Sequence, residues 1–191
     1  MEYKKIILAS KSPRRAELLS RMGYDFDVVD AGIDENKITA DSPAELVKLL
    51  AAAKAEGARA LFGGNHIIIA ADTVVDLNGE VLGKPKDEDD ARRMLRALSG
   101  TKHYVHTGLC VLDGGRQVFT GTVSAAVWFR ELGETELGDY IATGEPADKA
   151  GAYGIQERGA VFARRVEGDF YAIVGLPVCP LSSILKEINV K

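Results

Sequence analysis

The sequence predicts an α/β fold built on a mixed sheet, and three observations carry that expectation. Apolar runs of strand length alternate with amphipathic helical stretches in the first half of the chain. Tyr104–Leu112 and Gln117–Arg130 then read as two long strands joined at Asp113-Gly114-Gly115. Glycine and proline punctuate these elements and do not repeat with any period.

The elements follow in order. Lys5–Ala9 reads as a short buried strand. Ser10-Lys-Ser-Pro-Arg-Arg15 comes next, then Ala16, Leu18, Leu19 and Met22 at helical spacing, with Gly23 as the stop. Phe26–Val29 is a second strand. Ser42-Pro-Ala-Glu45 has the form of a capping box with proline at the first helical position, opening a helix to Phe62 that Gly63-Gly64 ends. His66–Ala71 reads as an apolar strand, and Thr73–Leu77 and Glu80–Leu82 flank the hairpin signal Asn78-Gly79. Asp87–Leu98 is an amphipathic helix closed by Ser99-Gly100, and a further helix is expected from Glu134 to Thr143. Val161–Val166 and Phe170–Val174 fit strands, and Pro180–Ile188 fits a final helix. Trp128 and Phe129 read as sheet packing.

Composition narrows the function. The chain has 191 residues, 46% hydrophobic and 27% charged, enough for one domain with a sizeable core. Collagen-like, coiled-coil and disordered compositions are excluded. No run approaches the roughly 20 apolar residues of a membrane helix. The N-terminal residues lack the apolar length of a signal peptide. Cys110 and Cys179 form no disulfide framework, which agrees with a reducing cytoplasm. With 24 Lys+Arg against 28 Asp+Glu, the net charge of −4 argues against a nucleic-acid polymer as partner. A small anion held by a few local cations fits better.

Four places hold residue types suited to chemistry. Ser12 is placed to cap a helix beginning at Pro13, and Arg14 and Arg15 sit in its first turn. An ordinary capped helix would serve, but cations there oppose the helix dipole, which favours an anion site. Asp72 ends the apolar run; it reads as a ligand-facing carboxylate at a strand end or as a turn starter beside Thr73. Gly83-Lys84-Pro85 lacks the spacing of a phosphate-cradling loop, and Lys84 alone reads as a surface lysine. The glycines of Gly144–Gln156 point to backbone closely approached by a packed turn or a ligand, and Gln156 offers a donor and an acceptor together. His103 and His106 face opposite sides of their strand, so a shared metal is not expected, and Cys110 reads as core.

In order along the chain, these islands resemble the Maf family of nucleoside triphosphate pyrophosphatases. The matching stretches are Leu8-Ala-Ser-Lys-Ser-Pro-Arg-Arg15, Ala71-Asp-Thr73, Gly83-Lys-Pro85, Leu98-Ser-Gly100 with His103, Gly144–Gln156 and Val174-Gly-Leu-Pro177. The resemblance implies a Maf/Ham1 (ITPase-like) fold, a curved mixed sheet flanked by helices in two lobes around a cleft, as one domain over residues 1–191. It implies a cytoplasmic homodimer that uses Mg²⁺ or Mn²⁺ to split a nucleoside triphosphate into monophosphate and pyrophosphate. Asp72 matches the catalytic carboxylate, and the sequence is compatible with it acting as base or as metal ligand. Arg14, Thr73 and Gln156 match the positions that mark dTTP/UTP choice in one subfamily. Ser10, Arg15, Glu35, Lys54 and Lys84 match other polar positions of the pocket. With Ser12, Ser10, Arg15, Lys54 and Lys84 are the expected phosphate ligands, and Asp72 and Glu35 the expected metal ligands. The implied role is removal of modified nucleotides or limitation of dTTP and UTP. The alternatives are a relative with another base specificity and a non-catalytic regulator of cell division. One departure stands out: members often carry Glu-Lys-Ala in the second helix, and here Ala53 precedes Lys54.

Overall fold

A computed structural model describes residues 4–63 and 65–190 of the chain. The first three residues, where the N-terminal segment begins, and Gly64 of the expected helix stop lie outside the described residues. The elements are β1 (Lys5–Leu8), α1 (Pro13–Arg21), β2 (Phe26–Val28), α2 (Pro43–Phe62), β3 (His66–Leu77), β4 (Glu80–Leu82) and α3 (Glu88–Leu98). They continue with β5 (Lys102–Asp113), β6 (Arg116–Phe129), α4 (Glu134–Ile141), β7 (Ala163–Gly168), α5 (Phe170–Val174) and α6 (Val178–Glu187). Seven strands form one mixed sheet in the order β2-β1-β3-β5-β6-β7, with β4 added against β3. β1 runs parallel to β2 and β3, whereas β3–β4 and β6–β7 are antiparallel. The α/β expectation holds. No helix among the described residues is long and apolar enough to cross a membrane.

The chain divides into two compact units. The first comprises Met1–Asp72, Thr107–Val123 and Gly175–Lys191. Its core sets small residues of α2 (Ala51, Ala55 and Ala58) on Ile7, Ile68, Cys110 and Leu112 of the sheet. Backbones come close here: a Cβ on Gly108 of β5 would lie 2.0 Å from the Val47 carbonyl oxygen of α2. α2 starts where the sequence places it, because Pro43 presets its first turn and Ser42 Oγ accepts the Glu45 N–H at 3.3 Å.

The second unit comprises Thr73–His106 and Ser124–Val174. Its core is larger-grained: Met94, Leu95 and Leu98 of α3 and Leu137, Tyr140 and Ile141 of α4 pack with Phe129, Tyr153 and Phe162. α3 is capped by Asp87, whose Oδ1 accepts the Asp90 N–H at 2.8 Å. The aromatic rings meet edge to face, Phe129 with Tyr153 at 4.7 Å and Tyr140 with Phe162 at 4.8 Å.

Three expectations are corrected. β3 is one strand from His66 to Leu77, not two pieces broken at Asp72, because the backbone stays extended through the buried carboxylate. Phe170–Val174 is a short helix, not a strand: Asp169 Oδ1 accepts the N–H groups of Tyr171 (2.8 Å) and Ala172 (3.2 Å), which starts a helical turn. The strand expected over Val161–Val166 begins only at Ala163, since Arg158–Phe162 closes as a 3₁₀ turn.

Candidate active site

On the edge of β3, pairing with β1 ends at Ile69 and pairing with β4 begins at Val75. Asp72 stands midway along the stretch between them. Its residue is only 8% exposed, so its charge needs a partner. That partner is Lys54 of α2, whose Nζ donates to Asp72 Oδ1 at 2.5 Å. The same ammonium pairs with Glu35 Oε1 at 2.8 Å. Lys54 follows the buried Ala51 by three residues and precedes Ala55, so the apolar face that seats α2 also carries the lysine stem inward. Glu35 arrives on a 3₁₀ turn, Glu35–Lys37. The chain leading to that turn lies tight on α2: a Cβ on Gly57 would be 2.7 Å from the Ala31 carbonyl oxygen.

The loop after β1 adds a second group. Ser10 is buried, and its Oγ accepts the Ser12 N–H at 3.2 Å and Arg15 Nη1–H at 3.0 Å. Arg15 Nε donates to the Gly175 carbonyl at 2.8 Å. Burial lowers the Arg15 guanidinium below its ordinary pKa, the charges of Asp72 and Glu35 act to raise it, and Arg14 lowers it. That mixture of signs means one electrostatic neighbourhood contains Arg14, Arg15, Glu35 and Asp72. The capping expectation for Ser12 is corrected. Ser12 occupies the N-cap position of α1, but its side chain makes no capping hydrogen bond, and Ser10 Oγ takes the local N–H instead. The first turn of α1 carries no acidic residue. The first unit therefore brings together Ser10, Arg14, Arg15, Glu35, Lys54 and Asp72, with Ser12 in the same loop.

Thr73, Lys84 and Gln156 belong to the second unit. Thr73 is half-buried, and Lys84 is exposed. Gln156 is exposed, within a turn closed by the Glu157 N–H on the Gly154 carbonyl at 3.3 Å. Of the two alternatives for this segment, packing accounts for Gly151: it has φ +67°, and a Cβ there would meet Val75 Cγ2 at 2.8 Å.

A family model described as Maf-like protein matches residues 5–188. The chain belongs to the Maf family. It is 48% identical over 188 residues to a protein of Dictyoglomus thermophilum named dTTP/UTP pyrophosphatase, covering 97% of each chain. Proteins of the same name from Vibrio cholerae and Bacillus cereus are each 44% identical, covering 97% and 98% of this chain and 98% and 91% of theirs. Among solved structures, the Ham1 protein of Staphylococcus aureus is similar with a TM-score of 0.54 at 16% identity, covering 97% of this chain and all (100%) of that one. A Ham1 protein from Coxiella burnetii gives 0.52 at 15% identity, covering 96% and 99%. Those likenesses show that this chain shares the fold of these Ham1 proteins.

Two features of this Maf chain escaped the residue-level reading. One is the Gly175 carbonyl, which holds Arg15; the motif Val174-Gly-Leu-Pro177 marks the place but not the role. The other is how Lys54 is oriented without a preceding glutamate. Asp72 and Glu35 both pair with its ammonium, at 2.5 and 2.8 Å. Among the described residues, no cluster of three or more His, Cys, Asp or Glu side chains is placed to hold a metal. Asp72 and Glu35 nevertheless converge on one cation, and a pair of hard oxygen donors suits a divalent ion that keeps phosphate oxygens and water among its ligands.

Proposed function

We propose that this protein is a pyrophosphatase that hydrolyses dTTP and UTP to the monophosphate and pyrophosphate. The observation that carries the reading is the Lys54 ammonium held between Asp72 and Glu35 in the same electrostatic neighbourhood as Arg14 and Arg15. The names of its relatives, 44% to 48% identical over nearly the whole chain, point to the same substrates.

The chemistry follows from the residue types. Arg14, Arg15 and Lys54 attract the triphosphate, with Ser10, Ser12 and Lys84 as further phosphate ligands. Incoming phosphate oxygens compete with the carboxylates for Lys54, which frees Asp72 to accept a proton. A water oxygen then attacks the α phosphorus, its proton passes to Asp72, and the α–β bridging oxygen leaves with pyrophosphate. Asp72 and Glu35 would hold Mg²⁺ or Mn²⁺, whose chemistry is to neutralise charge on the leaving pyrophosphate. Arg14, Thr73 and Gln156 select the base, because a site whose polar groups pair with uracil or thymine rejects bases that leave them unpaired. The reading takes residues 1–191 as one catalytic domain, acting as a homodimer in the cytoplasm to clear modified nucleotides or limit dTTP and UTP.

The test is a product assay with dTTP, UTP, CTP, ATP and GTP in Mg²⁺ or Mn²⁺. Monophosphate and pyrophosphate from dTTP and UTP, with little purine turnover, is the expected outcome. Asp72→Asn should keep its fold by circular dichroism and lose activity by about 10²- to 10⁴-fold, the range for removing a general base. Diphosphate and phosphate as products, or dTTP bound without turnover, would overturn the proposal.

A further inference from the structure

We propose that Lys149 is a positioning residue for base selection, its buried ammonium fixing the turn that presents Gln156; this rests on the reading of Gln156 given above. A lysine is rarely buried, yet Lys149 is only 6% exposed. Its Nζ donates to Asp148 Oδ1 at 2.8 Å and to the Glu145 carbonyl at 3.1 Å, and it pairs with Glu157 Oε2 at 3.3 Å. Two hydrogen bonds and one ion pair thus surround the ammonium.

These contacts lock both ends of one turn. The turn runs from Gly154 to Glu157, with Gln156 as its third residue. At its far end, Glu157 is tied to the Lys149 ammonium. At its near end, Gly154 lies on the Lys149 stem so closely that a Cβ there would sit 2.8 Å from Lys149 Cε. The Gly154 N–H donates to Tyr140 Oη at 3.1 Å, and Tyr140 Oη–H donates to Glu145 Oε1 at 2.8 Å. Glu145 closes the frame, its Oε2 accepting Arg158 N–H at 3.0 Å and its Oε1 accepting Gly159 N–H at 3.1 Å. Burial raises the pKa of Tyr140 and keeps its hydroxyl a donor. An exposed glutamine on an untethered turn would pay ordering entropy whenever it met a base, and this frame settles that cost in advance. An apolar side chain of the same length would fill the space as well, so the ammonium's distinctive contribution is geometry.

The experiment compares Lys149→Met, Gln156→Ala and the double variant, reading kcat and KM for UTP and CTP and the thermal midpoint of each protein. Lys149→Met should lower the UTP-over-CTP ratio of kcat/KM by about tenfold, with KM for UTP moving more than kcat. In the double variant that loss should not add to the loss from Gln156→Ala, because Lys149 acts through Gln156. Full additivity, or an unchanged ratio in Lys149→Met while Gln156→Ala loses selectivity, overturns the positioning role alone. An unchanged ratio in Gln156→Ala removes the base-reading assignment, and the positioning role with it. If Lys149→Met does not fold, Glu157→Gln removes one anchor at an exposed position and should shift the same ratio in the same direction by about twofold; no shift overturns the proposal.

Discussion

The two units of this protein handle charge in opposite ways. The first gathers it: Arg15, Glu35, Lys54 and Asp72 share one neighbourhood beside a core of alanines and small aliphatics. The second keeps charge out of its core, where Phe129, Phe162, Tyr140 and Tyr153 pack edge to face and Phe129 and Tyr153 flank His103, which burial holds neutral. The buried Lys149 ammonium is met by two hydrogen bonds and one ion pair to oxygens. The contrast has a physical logic. On the proposed reading, polyphosphate chemistry needs cations and a carboxylate at short range, and small side chains let α2 sit close enough to the sheet to supply them. On the same proposed reading, base selection needs a rigid surface, and interlocked rings with a braced turn would supply that.

If the contrast is right, the two cores should fail in opposite directions of volume. Phe129→Ala should have the larger effect. The ring is fully buried and touches His103 at 4.9 Å, Tyr153 at 4.7 Å and Phe162 at 5.8 Å. Its loss should cost about 3–5 kcal/mol in chemical denaturation; a cost under about 2 kcal/mol would mean the second core is loosely packed after all. Gly108→Ala asks the reverse question of the first unit. One methyl group meets the Val47 backbone at 2.0 Å, so α2 must shift, at a cost of about 1–3 kcal/mol. Because Lys54 rides two turns further along α2, pyrophosphatase activity should fall by more than the thermal midpoint alone explains. Equal activity per folded molecule would separate the helix packing from the site.

Much of this arrangement was legible in the sequence, for reasons that differ by element. α2 was readable because its start signal is local: Ser42, Pro43 and Glu45 act within one turn. β3 was misread as broken because a polar residue in an apolar run looks like an end. What keeps Asp72 inside the strand is Lys54, 18 residues away in sequence, and no local pattern shows that pairing. Phe170–Val174 was misread because five residues are too few to show a period; Asp169 ahead of them was the usable sign. At the site, Asp72 and Arg15 stand out from their local sequence, Lys54 and Glu35 only through family resemblance, and the structure adds the contacts that unite them. The Gly175 carbonyl and the Lys149 frame were illegible, since a backbone acceptor has no residue identity and a lysine reads as surface.

The smallest predicted effect tests the charge-excluding half of the contrast most directly. His103 Nε2 lies 2.9 Å from Tyr153 Oη, and among the described residues its Nδ1 is buried with no hydrogen-bond partner. Burial lowers its pKa from 6.5 to about 4. In the unfolded chain the same imidazole protonates near its ordinary value of about 6.5. The folded form is therefore fully favoured above that value, and the stability is lost as pH falls from 6.5 toward 4, where the unfolded state binds the extra proton. Linkage gives a loss of about 1 kcal/mol between pH 7 and pH 5.5 from this one residue. The informative quantity is the difference between wild type and His103→Leu. The variant should start less stable, because Tyr153 loses its partner, but its stability should fall less steeply over that interval. Parallel curves would mean that His103 titrates alike in the folded and unfolded chains, and the second unit would then tolerate the charge that its aromatic core is built to exclude.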